Sequence, residues 1–425
     1  MDLFKISEGK YTIKDSDEIG EGAYSKIYDV KKNIFNNKTA GSSNDKKNKN
    51  KKITNDTKKY IVKIHEIKDK REAVNEIEIL YKLKKNKNIF KTNLQNIFSN
   101  TENKNMKSKY INDFKYLKSK LIKIKDYYID QEHIYIILKK YDVTLEDFNI
   151  MYNKEFNETL PISLIKKIAN SLFIGLYELN VSKIIHCDIK PNNILISIDN
   201  NKSLTQIIKD INNNKIKKVD LHKFIDIRII DFNKSQKNKS ICKSTCIQTL
   251  YYMAPEIILG NHNFNPTIDV WSIGTIIYEL LTSHYLFDVF NLNIKYKKNF
   301  QNHISKSNDS SESSSSSHDN YYSSYSGNDM HNLALLYIYK TLLGTNNMVD
   351  GKYIESYYSN DHLLGNHMKI SNSDFALLEN KIYDNVQVSH DKEFYLTIIN
   401  IFKKIFIYDY SDRLTSEDFL LTFAF

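Results

Sequence analysis

The chain has 425 residues, 41% of them hydrophobic, which is enough to bury a large core and to build either a two-lobed enzyme or two to three separate domains. Its formal charge of +10 invites a nucleic-acid partner, but the lysines gather in Asn/Lys-rich stretches such as residues 44–59 of a chain that is rich in Lys, Asn and Ile throughout, so specific nucleic-acid binding is not expected. Cys187, Cys242 and Cys246 lack a second ligand pair for zinc and point to a reducing compartment, and no apolar run approaches the roughly 18 residues that span a bilayer, so a soluble intracellular protein is expected.

Residues 11–32 read as two strands around a turn carrying Gly20 and Gly22, where backbone N–H groups could approach phosphates closely. Residues 33–59 are polar and read as an insertion. A strand resumes at Tyr60-Ile61-Val62-Lys63-Ile64. Residues 69–84 read as a helix with Ile77, Leu80, Tyr81 and Lys84 on one face. Glu76 and Glu78 lie about 200° apart around it, so only one of them can face a cleft, and Glu78 is the one expected in solvent. A second Asn/Lys-rich insertion is expected over 86–119, followed by strands from Leu121 and His133 and a helix from Pro161 to about Asn180 with Leu164, Ile168 and Leu172 in its apolar stripe.

The stretch IIHCDIKPNNIL, from Ile184 to Leu195, puts Asp188, Lys190 and Asn193 within six residues. That trio suits phosphoryl transfer. A carboxylate orients the attacking hydroxyl and accepts its proton, an ammonium neutralises the moving phosphoryl group, and a carboxamide oxygen ligates Mg²⁺. After Ile198 comes a further polar stretch, expected as an insertion over about 199–225. An apolar strand then ends at Asp231 in DIRIIDFNKS. The motifs TLYYMAPE from Thr249, DVWSIG from Asp269 and DRLT from Asp412 follow.

In this order the motifs resemble those of the eukaryotic protein kinases, over residues 11–425. The resemblance implies an α+β, two-lobed fold: a small antiparallel sheet lobe with one main helix over 11–140, and a mostly helical lobe over 141–425 with a further insertion at 291–330. It implies that Ile19, Gly20, Glu21, Gly22, Ala23, Tyr24, Ser25, Lys26 and Ile27 form the nucleotide-covering loop. Lys63 would pair with the phosphates and with Glu76, Glu72 being a poorer candidate. Lys139 and Tyr141 would belong to the adenine-binding hinge. Asp188 and Lys190 would be catalytic, and Asn193 and Asp231 would bind Mg²⁺. Phe232 would pack beneath the helix of Glu76. Thr249, Glu256, Asp269 and Arg413 would be structural: Asp269 would hold the catalytic loop and Arg413 would pair with Glu256. ATP and Mg²⁺ are the implied cofactors.

Three positions depart from the family pattern. Ser25 replaces a glycine, Cys187 replaces the arginine before the catalytic aspartate, and Asn233 replaces the glycine after Asp231-Phe232, where asparagine is expected to tolerate the positive φ of the turn. Within the kinases, Cys187 with Ile189-Lys190-Pro191, the long interval from Asn193 to Asp231, and HNLALLYIYKTLLG from His331 with GKYIESYYS from Gly351 resemble the SR-protein kinases of the CMGC group. The DYRK-type kinases come next. Met253 stands where that group has arginine. The resemblance implies a serine/threonine kinase acting on Arg/Ser-rich proteins, monomeric, cytoplasmic and also nuclear. A DYRK-like or unclassified kinase, and a pseudokinase that binds without catalysis, stay open as alternatives.

Overall fold

The computed structural model of the chain describes residues 3–6, 11–14, 18–22, 25–32, 60–100, 118–198, 202–238, 247–258, 264–288, 378, 382 and 392–423. The small lobe is an antiparallel sheet of β1 (Leu3–Ile6), β2 (Tyr11–Lys14), β3 (Glu18–Gly22), β4 (Ser25–Lys32), β5 (Tyr60–Glu66), β6 (Ile124–Ile129) and β7 (His133–Lys139). Its order is β1-β2-β4-β5-β7-β6, with β3 also paired to β4. The sheet therefore begins at Leu3, ahead of the expected start at Tyr11. The reason is visible in the burial: β1 and β2 form a hairpin whose Ile6, Tyr11 and Ile13 cover Val30, Tyr60, Val62 and Ile137 on the outer face of the sheet.

Period-two alternation sends Ile61, Lys63 and His65 of β5 to the opposite face, toward helix α1 (Lys70–Asn100). This helix is twice the length that residues 69–84 suggested and runs on through residues 86–100, the first part of the expected 86–119 insertion. Phe90, Leu94, Ile97 and Phe98 recur at helical spacing and are all buried. Tyr81, expected on the buried face, is 38% exposed, and Leu83 is buried in its stead.

The large lobe opens with β8 (Val143–Thr144) and α2 (Leu145–Phe156), whose first turn is capped by Thr144 Oγ1 accepting from Asp147 N. Helix α3 (Ile162–Val181) starts after Pro161, which serves as its N-cap, and is buried over most of its length. Then come β9 (Ile184–Ile185), β10 (Ile194–Ile198), α4 (Leu204–Asn212), a 3₁₀ segment (Lys218–Phe224), β11 (Ile225–Ile229) and β12 (Gln236–Lys237). Within the expected polar insertion over 199–225, Ser203 caps α4, and Ile207, Ile211 and Leu221 are buried, with the 3₁₀ segment packed on α3. Among the described residues the lobe continues with α5 (Pro255–Ile258), α6 (Thr267–Thr282), α7 (Lys392–Ile405) and α8 (Ser416–Thr422). Trp271 of α6 stacks on Phe287 and meets Phe406 edge-on. Among the described residues no helix is long and apolar enough to cross a membrane.

Candidate active site

Two local devices bring the distant motifs together. The β10–β11 hairpin pairs Ile194 with Ile229, and Ile230 N donates to Asn193 O at 3.0 Å, so Asn193 and Asp231 emerge side by side from adjacent strand ends. The 199–225 segment lies at the far end of that hairpin and leaves this end undisturbed. The second device is the β5–α1 pair, which sets Lys63 against Glu76.

Lys63 Nζ lies 2.9 Å from Glu76 Oε2 and 2.8 Å from Asp231 Oδ1. Burial alone would lower the Lys63 pKa, but the Asp231 and Glu76 carboxylates outweigh it and hold the ammonium well above its ordinary value. Burial pushes the Asp231 carboxyl up, Lys63 pulls it down further, and the net direction is down. Both groups are therefore charged at neutral pH. Glu72 makes no ion pair with Lys63. Glu78 faces solvent, 3.6 Å from Lys237.

Asp269, at the start of α6, accepts from His186 N at 2.7 Å and Cys187 N at 3.0 Å. Burial raises its pKa to about 6, and these N–H groups work against that rise. His186 Nδ1 accepts from Asp188 N at 3.2 Å, so the ring proton belongs on Nε2, which donates to Ile230 O at 2.9 Å. The imidazole thus ties the catalytic loop to the strand leading into Asp231. Asp188 Oδ1 accepts from Thr249 Oγ1 at 2.8 Å, and Lys190 Nζ donates to the same hydroxyl at 3.2 Å. Asn193 Nδ2 donates to Asp188 O at 2.9 Å, which turns its amide oxygen into the atom suited to a cation. Arg413 Nη1 and Nη2 form a buried two-point pair with Glu256 Oε1 and Oε2 at 2.7 and 2.9 Å. Phe232 is fully buried, its ring 5.2 Å from that of His186.

In the glycine-containing hairpin, Gly20 pairs with Ile27, Glu21 with Lys26 and Gly22 with Ser25, while Ile19 is 49% exposed. A side chain at Gly20 would meet no atom within 4 Å, so the space over this strand is open. Ala23 and Tyr24 lie outside the described residues. Lys139 ends β7, with Nζ 5.0 Å from the centre of the Tyr141 ring. One expectation is corrected: the positive φ after β11 belongs to Asp231 (66°), not to Asn233. The Asp231 carboxylate accepts the Asn233 N–H, and such an Asx turn lets an aspartate occupy left-handed backbone.

Four residues of the site escaped the sequence reading. Lys234 Nζ is 3.3 Å from Asp188 Oδ2. Asn75 Nδ2 donates to Asn233 O at 3.5 Å and Ser235 O at 3.0 Å, and Ser235 Oγ donates to His186 O at 3.0 Å. Gln248 N donates to Cys187 O at 2.7 Å, while its side chain bonds Ile268 O, Ser272 Oγ and Ala254 N. Asn75 carried one usable signal, its place beside Glu76.

A family model described as the protein kinase domain matches residues 98–422, beginning after Lys63 and Glu76. The serine/threonine-protein kinase prpf4B of Dictyostelium discoideum is 27% identical over 45% of this chain and 21% of its own length. The serine/threonine-protein kinase AFC1 of Arabidopsis thaliana is 31% identical over 40% of this chain and 36% of its own length. The dual specificity protein kinase YAK1 homolog of the same plant is 30% identical over 40% of this chain and 15% of its own length. The chain thus covers well under two thirds of each of these relatives.

Proposed function

Because the chain belongs to the protein kinase family, we propose that it transfers the γ-phosphate of ATP to serine and threonine hydroxyls of protein substrates. The observation that carries this is the convergence of Lys63, Glu76 and Asp231 in one charged cluster beside Asp188, Lys190 and Asn193. Asp231 and the Asn193 amide oxygen are hard oxygen donors on adjacent strand ends, a set that fits Mg²⁺, which takes few protein ligands and completes its shell with phosphates and water. Bound there, Mg²⁺ would neutralise charge developing on the transferred group. Lys63, held by Glu76, would position nucleotide phosphates. Asp188 would orient the acceptor hydroxyl and receive its proton, with its carboxylate aimed by the Thr249 hydroxyl and its backbone held by His186 and Asn193.

For the substrate, we favour serines with neighbouring arginines. The segments from His331 and Gly351, and the acidic Asp309, Glu312, Asp319 and Asp329, lie outside the described residues. Support comes from Glu146, which accepts from Asn192 Nδ2 next to the catalytic loop. Guanidinium groups need such carboxylates for paired hydrogen bonds.

One experiment separates the levels of this reading. Purified protein is given radiolabelled ATP with an Arg-Ser repeat peptide, a Ser-Pro peptide and an acidic Ser peptide, beside an Asp188→Asn variant. The wild type should show its highest kcat/KM on the first peptide. The variant should lose on the order of a hundred-fold or more in kcat while still binding nucleotide. A preference for either other peptide rejects the substrate class alone. Full activity in the variant rejects the role of Asp188, and no transfer by wild type rejects the kinase reading.

A further inference from the structure

Asp188 is met by a cation that none of the phosphoryl-transfer motifs supplies. Lys234 Nζ stands 3.3 Å from Asp188 Oδ2, closer than Lys190 Nζ at 3.6 Å. Since Oδ1 already accepts from Thr249, the two ammonium groups share the other carboxylate oxygen, which Asn193 Nδ2 also reaches at 3.5 Å. Lys234 is also held, unlike an ordinary surface lysine. The carbonyls on either side of it, Asn233 O and Ser235 O, both accept from Asn75 of α1. The Ser235 hydroxyl donates to His186 O, and Ser235 N donates to Phe232 O at 3.1 Å. Helix α1 and the catalytic loop therefore fix the backbone at Lys234 from two directions, and its side chain is only 36% exposed.

We propose that Lys234 is a second catalytic cation of the transfer step, working beside Lys190; this rests on the kinase reading above. Asp188 takes the proton of the acceptor hydroxyl while the acceptor oxygen bonds to the γ-phosphorus, and the electron pair of the broken P–O bond leaves on ADP. In that step two like charges, the Asp188 carboxylate and the incoming phosphoryl oxygens, must approach one another. An ammonium fixed at Asp188 Oδ2 before the reaction offsets their repulsion without reorganising. Asn75 is then a positioning residue, acting through the backbone that carries Lys234.

The test is steady-state kinetics of wild type, Lys234→Met and Lys234→Arg with a serine peptide acceptor, beside their melting temperatures. Removing the charge should lower kcat about ten-fold or more, with the KM for ATP within about two-fold of wild type and the melting temperature unchanged. Lys234→Arg should restore most of kcat, which a loss of packing alone would not permit. The proposal is overturned if Lys234→Met keeps wild-type kcat, if arginine does not restore it, or if only the peptide KM moves. A wild type that transfers no phosphate overturns it together with the kinase reading, whereas an active wild type with an unaffected Lys234→Met overturns this proposal alone.

Discussion

Cys187, Asp231 and Gln248 adopt left-handed backbone, with φ of 67°, 66° and 63°, inside a few ångströms of hydrogen-bonded site. Such conformations persist in non-glycine residues only where surrounding contacts over-determine them, and here contacts hold Cys187 (from Asp269 and Gln248) and Asp231 (from Lys63 and the Asn233 N–H). The departure at Cys187 therefore costs the loop little, because its backbone N–H and C=O make the contacts that hold the loop, and its buried thiol donates to Ile185 O at 3.6 Å. A different residue supplies a pH signature. Burial pushes the Glu178 carboxyl up to about 7, the Ser119 hydroxyl and Lys120 N–H offset this in part, and Oε2 has no hydrogen-bond partner among the described residues. The folded form keeps this proton up to about pH 7, whereas the unfolded chain releases it near 4.5, so stability falls as pH rises across that window. Glu178→Gln stays neutral in the same shape. Its melting temperature should exceed that of wild type at pH 8 and match it at pH 5, and parallel pH curves for the two proteins would contradict the assignment.

At the level of elements, α1 connects the two lobes. Its first half carries Asn75 and Glu76, and its second half packs on α3 and α8, with the Phe90 ring 6.4 Å from that of Tyr177 and Asn86 Nδ2 donating to Ser182 Oγ at 3.3 Å. An α-helix is stiff over this span, roughly 46 Å at 1.5 Å per residue, so anchoring its far end restrains the end that faces Lys63. Phe90→Ala should cost about 3–5 kcal/mol in urea unfolding. It should also lower kcat under conditions where the variant is fully folded, because Glu76 and Asn75 ride on the same helix. Unfolding and kcat measured on one preparation check both statements, and a destabilised variant with unchanged kcat would show that the anchor has no reach. Residues 86–100 read as the start of an Asn/Lys-rich insertion because Lys and Asn fill the solvent face so densely that Phe90, Leu94, Ile97 and Phe98 stand isolated in the sequence. Their i, i+4, i+7, i+8 spacing was the signal.

For the whole molecule, the arrangement makes a statement about regulation. The Lys63–Glu76 pair is closed, Asn75 holds the turn after Asp231, and the position before Asp188 carries no positive charge that a phosphorylated activation segment would need to engage. We expect full activity without phosphorylation of that segment. Phosphatase-treated enzyme should retain its kcat, and a loss that is restored by rephosphorylation at Ser244 or Thr245 would overturn the expectation.

What could be read from the chain alone was chemistry held in short spans. Asp188, Lys190 and Asn193 declare a reaction because three residue types in six positions leave few other uses for a loop, and the resemblance of the remaining motifs to those of the protein kinases supplies Lys63, Glu76, Asp231, Glu256, Asp269 and Arg413. A lysine or an asparagine in a lysine- and asparagine-rich chain carries no such mark. Lys234 and Asn75 gain meaning only when α1 lies against the turn after Asp231, a contact between residues more than a hundred positions apart. The same holds for the left-handed residue of that turn. Asn233 has the better intrinsic tolerance for positive φ, but Asp231 takes it, because the Lys63 ammonium and a backbone N–H reward its carboxylate there and local preference is worth less than those two bonds.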